Sequence, residues 1–360
     1  MQKKIISMAI AGLVSSFAFA QSNVTIYGIA DAGFSSFSGD GQNSTGVHSS
    51  GLSTSRLGFR GEEALGNGLK AIFNFESGIS LDNNAAWGSN RQSNVGLAGN
   101  FGTVKFGRQS SLSDAWHGGA GAENFGNLSS RNVANNTLRG GFANRKLDGI
   151  GYMSPVFSGF TFGAVVAFDD EGGADNLPVA GKPGKTTDNR DTMYQLGVNY
   201  ANGPLTAAAT FALQDHDVYK SQKEYTVAAA YNFGVVTLSG AYEAVKDVYS
   251  GTRGTTPLED NATWSLGLSI PVMAKGKVHV GYSQTDNDAK KSDYKAFLLG
   301  YQHSLSKRTD LYAAYQRLDN DKNARYTPNG RYADNLKNAT FIGNADESYN
   351  GFIMGIRHTF

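Results

Sequence analysis

Several features are missing from this sequence, and each absence narrows the possible folds. There is no cysteine, so disulfide bonds cannot stabilise the fold. The 32 basic and 31 acidic side chains give a formal net charge of +1, which gives no indication of a nucleic-acid partner. After residue 20, no stretch approaches the ~20 consecutive apolar residues of a transmembrane helix. The six histidines are scattered without ligand spacing, so we predict neither a metal site nor another cofactor site.

The first twenty residues have the pattern of a secretory signal peptide. Lys3 and Lys4 precede a short apolar run, and Ala18 and Ala20 form an A-x-A cleavage site. The apolar run is short for a membrane anchor. We therefore expect residues 1–20 to be removed, which leaves residues 21–360 as one domain.

Glycine and aromatic residues are abundant, with 45 Gly, 17 Tyr and 21 Phe against 7 Pro, a composition typical of strands and turns. Sixteen stretches alternate in polarity with a period of two, from "NVTIYGIADAGFSSF" near the start to "GFIMGIRHTF" at the end. Several are long enough to supply the ~9–11 residues that a tilted strand needs to cross a membrane.

The connections between these stretches alternate in length. Short turns such as "ALGNGL", "YANGPL" and "SLSKRTD" alternate with long polar stretches such as "DDEGGADNLPVAGKPGKTTDNRD". Membrane barrels have short turns at one rim and long loops at the other, because the two sides face different compartments. A soluble sandwich has no reason to separate its loops in this way.

The two faces of the stretches differ in polarity. Leu57 and Phe59 share one face while Arg56 and Arg60 share the other, and Lys105 likewise opposes its apolar neighbours. An apolar outside around a polar, wet inside is the arrangement of a membrane barrel. Because an open sheet edge in lipid would leave backbone groups unpaired, the first and last strands must pair. The fold class predicted is all-β, a 16-stranded antiparallel transmembrane barrel.

Four stretches, "VTIYGIADAG", "SRLGFRGEEALGNGLKAIFNFE", "GLAGNFGTVKFGRQ" and "GIRHTF", resemble the trimeric general porins of Gram-negative outer membranes, of the beta-proteobacterial type. The resemblance implies a homotrimer in contact with outer-membrane lipid and lipopolysaccharide. It implies passive diffusion of ions and small hydrophilic solutes rather than catalysis. It also implies that the C-terminal Phe360 marks the chain for the barrel assembly machinery, and that a long third loop folds into the lumen.

Residues 110–144 are the expected third loop, because they form a long aperiodic stretch between two strands. Its "AENFG" resembles the Pro-Glu-Phe-Gly-Gly loop tip common in the family, with Ala122 in place of the proline and Asn124 inserted. The resemblance makes Glu123 the acidic residue that faces the pore, with Asp114 a weaker candidate.

A basic wall is predicted opposite this loop. Its candidates are Arg56 and Arg145 from the family motifs, Arg60 and Lys105 from strand parity, and, ranked lower because its parity points outward, Arg91. Within the loop, Arg131 and Arg139 are further candidates, and on the wall Asp31 and Glu76 are candidates that would temper the positive charge. Since the basic residues outnumber the acids, we predict weak anion selectivity, set by a transverse field at the waist.

Three other functions are compatible with parts of this pattern. A substrate-specific channel of the same fold needs a solute-binding ladder, which the sequence does not reveal. A barrel hydrolase needs a Ser/His or Asp/His pair at one rim. The only cluster in the sequence worth testing for this is His117 with Ser110, Ser111, Ser113 and Asp114. A secreted adhesin-like sandwich would be extracted without detergent. We predict no catalytic residue.

Overall fold

The computed structural model describes residues 23–39, 41–83, 87–118, 120, 124–135, 146–168, 192–215, 221–247, 249–250, 256–257, 260–324, 326 and 346–360. Strands dominate them. The strands are β1 (Asn23–Gly39), β2 (Gln42–Ser49), β3 (Arg56–Gly66), β4 (Leu69–Ile79), β5 (Trp87–Gly99), β6 (Gly102–Ser110), β7 (Lys146–Met153), β8 (Phe160–Phe168), β9 (Thr192–Asn202), β10 (Leu205–Asp215), β11 (Gln222–Asn232), β12 (Thr237–Lys246), β13 (Tyr249–Ser250), β14 (Thr256–Pro257), β15 (Asn261–Val272), β16 (Gly276–Asn287), β17 (Tyr294–Ser304), β18 (Thr309–Asn320) and β19 (Ser348–Thr359). The helices are α1 (Leu112–Trp116) and α2 (Ser130–Asn135), with a 3-10 turn at Gly126–Leu128 between them.

Seventeen strands form one antiparallel sheet that closes into a barrel, and β13 and β14 form a separate small hairpin. Both β2 and β3 pair with β1, so they are two parts of one spanning strand, and the barrel has sixteen spanning strands. The break between these two parts, residues 50–55, is called the bracket below. The predicted sixteen-stranded antiparallel barrel is thereby confirmed.

The seam of the barrel joins the first strand to the last. The β1–β19 register runs from Ile29 opposite Thr359 to Ser38 opposite Asn350. Beyond it, the backbones of Gly28 and Phe360 exchange both hydrogen bonds, each 3.1 Å long. Closure in this way leaves no sheet edge for water or another chain to satisfy.

The short connections lie at one rim. The β3–β4 turn is typical, with positive φ angles of 92°, 51° and 77° at Gly66, Asn67 and Gly68. Tight hairpin turns require such left-handed backbone, which glycine and asparagine adopt most easily. The longest connections lie at the other rim, where they link β6 to β7, β8 to β9 and β18 to β19.

The outer surface of the barrel is apolar. Large apolar side chains are exposed on alternate residues of the strands, among them Val24, Ile26, Phe59, Phe75, Val95, Phe106, Phe162, Leu196, Val227, Leu266, Leu299, Met354 and Ile356. A continuous exposed surface of this kind requires an apolar surrounding. Within the described part of the chain, no helix is long and apolar enough to span a membrane.

Candidate channel constriction

The segment after β6 turns into the lumen, where α1 packs against the barrel wall. The Leu112 backbone N–H donates to Gln195 Oε1 at 2.8 Å, and the Ser113 and Thr210 hydroxyls lie 3.2 Å apart. Trp116 is buried in a cluster that includes Leu147 and residues of β8–β11. Each polar contact satisfies a group that would otherwise be buried without a partner, so α1 is held against this side of the barrel.

The second half of the same segment packs further round the lumen. The Asn124 amide donates to the backbone oxygens of Leu268 and Val280, at 3.2 and 3.1 Å. Phe125 stacks on His279, with ring centroids 4.3 Å apart. The buried Gln316 amide donates to a backbone oxygen of the 3-10 turn at 2.9 Å. The described residues of this segment, 111–118, 120 and 124–135, lie against β8–β12 and β15–β18, which we call the covered wall.

Glycines on the inner face of the covered wall make room for the loop. A Cβ at any of these positions would lie within 3 Å of a loop side chain, which real Cβ atoms essentially never do. The glycines are Gly163 and Gly197 under Trp116, Gly267 under Asn124, Gly281 under Ser130 and Gly300 under Phe125. The positions of these glycines in the strands therefore mark where the loop contacts the wall.

A buried ion pair fixes the loop to β12. Arg131 donates to Glu243 Oε2 at 2.6 Å, and the two side chains are only 3% and 1% exposed. The same guanidinium lies 3.3 Å from Nδ1 of His117, which links the two halves of the loop. His117 lies in the loop, outside the spanning strands, and its burial, together with Arg131, holds its pKa well below 6.5. Its imidazole is therefore neutral, with Nδ1 the acceptor.

The side of the lumen left uncovered, β1 and β3–β6, is called the open wall. Its centre is Glu76, which is buried and pairs with Arg91 at 2.7 Å and with Arg56 at 3.7 Å. The Tyr27 hydroxyl also donates to Glu76, at 3.1 Å. Asp114 of α1 interacts electrostatically with Arg56 from the loop side. One acidic side chain of the loop thus faces one basic side chain of the open wall.

Arg91 reaches Glu76 because of a β-bulge. Gln92 pairs with Glu76 and Asn90 with Ser77, so Arg91 is the extra residue between them. A bulge shifts the side-chain alternation by one residue, which reverses the outward direction that parity predicts for Arg91.

Two cations of the open wall lie nearer the rim of short turns. Arg60 lies over the Tyr27 ring, 5.1 Å from its centroid. Arg60 and Lys105 line one recess with Asn74, Asn94 and the carboxylate of Glu62. Among the described residues, neither cation forms an ion pair, and the nearby Glu62 is paired with Lys70 at 2.8 Å. The recess therefore holds two cations against one carboxylate, and that carboxylate already has Lys70 as its partner.

The remaining candidate residues lie beneath the bracket, at the seam or outside the described residues. Arg145, Arg139 and Glu123 lie outside the described residues. Asp31 is fully buried beneath the bracket, so it does not project into the open lumen as predicted. Phe360 packs its ring against Gly28 at the seam.

The residues considered for a hydrolase have structural contacts. The Ser111 side chain accepts a bond from the Asp114 N–H and caps α1, Ser113 bonds to Thr210, and His117 bonds to Arg131. Nowhere in the described ranges do three or more His, Cys, Asp or Glu side chains form a group that could hold a metal ion.

Sequence reasoning missed the inward glycines, the bracket and the Arg131–Glu243 pair. A signal for the glycines exists, since single glycines recur inside apolar strands in "TFGAVV", "QLGVNY", "SLGLSI", "HVGYSQ" and "LLGYQH". An isolated glycine within a strand indicates close approach of another part of the protein.

Comparisons with known proteins agree with this geometry. A family model described as "Gram-negative porin" matches residues 7–323. Outer membrane porin protein 32 of Delftia acidovorans is 35% identical over 379 residues, which cover 100% of both chains. The solved structure of an anion-selective porin from Comamonas acidovorans has a TM-score of 0.74 at 30% identity, over 94% of this chain and 100% of that one. OmpT of Vibrio cholerae, in a structure described as the trimer form, has a TM-score of 0.64 at 17% identity, over 94% and 99%, which shows the fold alone.

Proposed function

Because the chain belongs to the Gram-negative porin family, we propose that its barrel is a water-filled outer-membrane channel for passive diffusion of ions and small hydrophilic solutes, with a weak preference for anions. The observation that carries the preference is the excess of positive charge in one lumenal recess, where Arg60 and Lys105 form no ion pair with any described residue and Glu62 is paired with Lys70. By contrast, Arg56 and Arg91 share the carboxylate of Glu76. The relative described as an anion-selective porin supports the same preference.

The geometry accounts for diffusion without any chemical step. The loop narrows the lumen by lying on the covered wall, and solutes pass between it and the open wall. Asp114 on the loop and Arg56 on the wall set up a field across this passage, which orients dipolar solutes as they enter. Below it, an anion meets Arg60 and Lys105, which lower its energy in the low-dielectric surroundings of the barrel.

Reversal potentials in planar bilayers under a salt gradient test the proposal. The double variant Arg60→Gln/Lys105→Gln should conduct but lose part of the anion preference, because both cations of the recess are removed. Arg108→Gln is the matched control, since Arg108 lies on the opposite face of β6 and pairs with Asp148 at 2.7 Å. An unchanged reversal potential in the double variant would contradict the assignment, and absence of conductance in folded wild type would contradict the channel.

The assembly of the channel is part of the proposal. We infer a homotrimer, in line with the trimer form described for OmpT, together with contacts to outer-membrane lipid and lipopolysaccharide. Recognition of Phe360 by the barrel assembly machinery and removal of residues 1–20 belong to the same proposal, as does the absence of catalytic activity. Mass spectrometry of the purified native protein gives the cleavage site and the number of chains.

A further inference from the structure

The bracket is an insertion in the second spanning strand that leaves the barrel wall. Ala32 pairs with Ser49 and Ile29 pairs with Arg56, so only residues 30–31 of β1 lie opposite the bracket. A strand that continued regularly would need as many residues on both sides, so the bracket has excess length. It projects inward, because Leu52 is buried in one cluster with the loop residues Phe125 and Leu128.

The bracket holds the loop by direct contacts. The Asn127 backbone N–H donates to the Leu52 oxygen at 3.0 Å, and the Asn127 side-chain amide donates to the Ser50 oxygen at 3.2 Å. Gly126 has a φ of 54°, and a Cβ there would lie 2.3 Å from the Leu52 oxygen. Only glycine permits this approach, so the loop and the bracket are fitted to each other.

Asp31 holds the bracket. Its Oδ1 accepts from the Gly51 N–H at 3.1 Å and from the Tyr312 hydroxyl at 2.7 Å, and its Oδ2 accepts from the Ser53 N–H at 2.7 Å. The Asp31 backbone oxygen also accepts from the Ser50 N–H at 2.7 Å. The side chain is fully buried, and a carboxylate in such a place is costly unless its oxygens are hydrogen-bonded. The polar contacts therefore determine one geometry of the bracket rather than simply adding stability.

We propose that Asp31 is a positioning residue of the constriction. Through the bracket it fixes the second half of the loop, and because Arg56 follows the bracket directly, it also fixes where the basic wall begins. Asp31 touches no solute, and its influence on permeation passes through Gly51, Ser53 and the Asn127 contacts. The inference rests on the proposed diffusion channel and adds the part that sets its width.

The test uses the full-length, folded protein in liposomes and planar bilayers. Asp31→Ala should admit larger sugars in liposome swelling and show more frequent current fluctuations, because the loop loses its support. Ser35→Ala is the matched control, since Ser35 is equally buried on the same face of β1. Heat-modifiable migration on gels establishes that each variant is folded. Should Asp31→Ala not fold, Tyr312→Phe removes one of the three side-chain contacts and takes its place.

A double-mutant cycle separates positioning from simple destabilisation. Asn127→Ala removes the amide contact with Ser50 without touching the barrel wall. If Asp31 acts through the bracket, the two changes in sugar permeability are not additive, since both remove the same support. Additive effects, or unchanged permeability in folded Asp31→Ala, would overturn the proposal while leaving the channel intact. A wild-type protein that admits no solute would instead overturn the proposed function.

Discussion

The two sides of the lumen are built from the same kind of strand but differ in the burial and charge of their inward-facing side chains. Beneath the loop, the covered wall presents glycines and two buried carboxylates, Glu224, which accepts from the loop residue Ser113, and Glu243, which pairs with Arg131. The open wall presents long charged side chains to the lumen. Two of them are Arg60, which lies over the Tyr27 ring, and Lys105 in the same recess. The covered wall must exclude water, so its polar groups need partners, whereas the open wall is solvated by the channel itself.

This difference indicates that the position of a charge in a narrow pore determines whether water or an opposite charge stabilises it. Charge that faces the lumen attracts solutes and is stabilised by water, whereas the buried charge of Arg131 beneath the loop is stabilised by the opposite charge of Glu243. Changes on the covered wall should therefore affect stability first, and changes on the open wall should affect selectivity first.

The largest effect is expected from Glu243→Ala on the covered wall. The variant leaves the buried Arg131 guanidinium without its carboxylate, which costs about 3–5 kcal/mol of docking free energy. Thermal unfolding followed by gel mobility and single-channel recording measure the loss. Glu62→Ala removes the exposed pair with Lys70 and should cost about 0–1 kcal/mol. Equal losses in the two variants would break the comparison between the walls.

A smaller effect is expected from Gly197→Ala. The new methyl group would lie 2.6 Å from Cζ3 of Trp116, so α1 must shift. Overpacking of this kind costs about 1–3 kcal/mol and should alter conductance. Gly240→Ala is the control, because there the nearest atom, a Leu266 methyl group, is 3.3 Å away and belongs to the wall. Wild-type conductance and stability in Gly197→Ala would argue against a fitted loop.

Acidification should weaken the loop in a graded manner. His117 is neutral when docked, and the undocked side chain takes up a proton below its ordinary pKa of 6.5. The free energy of loop docking is therefore unchanged above that pH. Below it, the docking free energy weakens by up to about 1.4 kcal/mol per pH unit, until the pH reaches the lowered pKa of His117 in the docked loop. Closure frequency recorded from neutral to acidic pH measures this loss. His117→Asn keeps an acceptor but does not titrate, so an unchanged pH profile in that variant would exclude His117 as the cause.

The last variant, Glu76→Gln on the open wall, is expected to change selectivity more than loop docking. The amide oxygen still accepts from the Tyr27 hydroxyl, and the Arg56 and Arg91 side chains keep 24% and 17% of their surface exposed. Loss of one negative charge should increase anion preference by an interaction of about 1 kcal/mol or less at 4 Å in water. Reversal potentials measure the change, and a shift towards cations would contradict the reading of this wall.

The sequence predicts the parts of the fold that depend on local alternation. Phe59 and Arg60 lie on the faces that parity assigns, and the stretch ending in Phe360 pairs with the stretch after the signal peptide. A period of two repeated over sixteen strands tolerates local irregularities, so the barrel and its seam follow from pattern alone.

The site was harder to predict because it depends on departures from that pattern. One extra residue in a bulge turns Arg91 inward, and six residues that look like a simple turn form the bracket. Arg131 and Glu243 are 112 positions apart, and nothing local to either residue indicates the other. Contacts of this kind are decided by the path of an aperiodic loop, for which the sequence has no repeat to follow.

The seam between β1 and β19 has a consequence for biogenesis. Most neighbouring strands of the barrel are also neighbours in the chain, so their pairings are local, whereas this one joins opposite ends of the chain. Pairings of such long range form late and slowly, because the loop-closure entropy must be overcome first. A prematurely terminated chain could form many hairpins but would enclose no lumen. Enclosure of the lumen therefore depends on both ends of the chain.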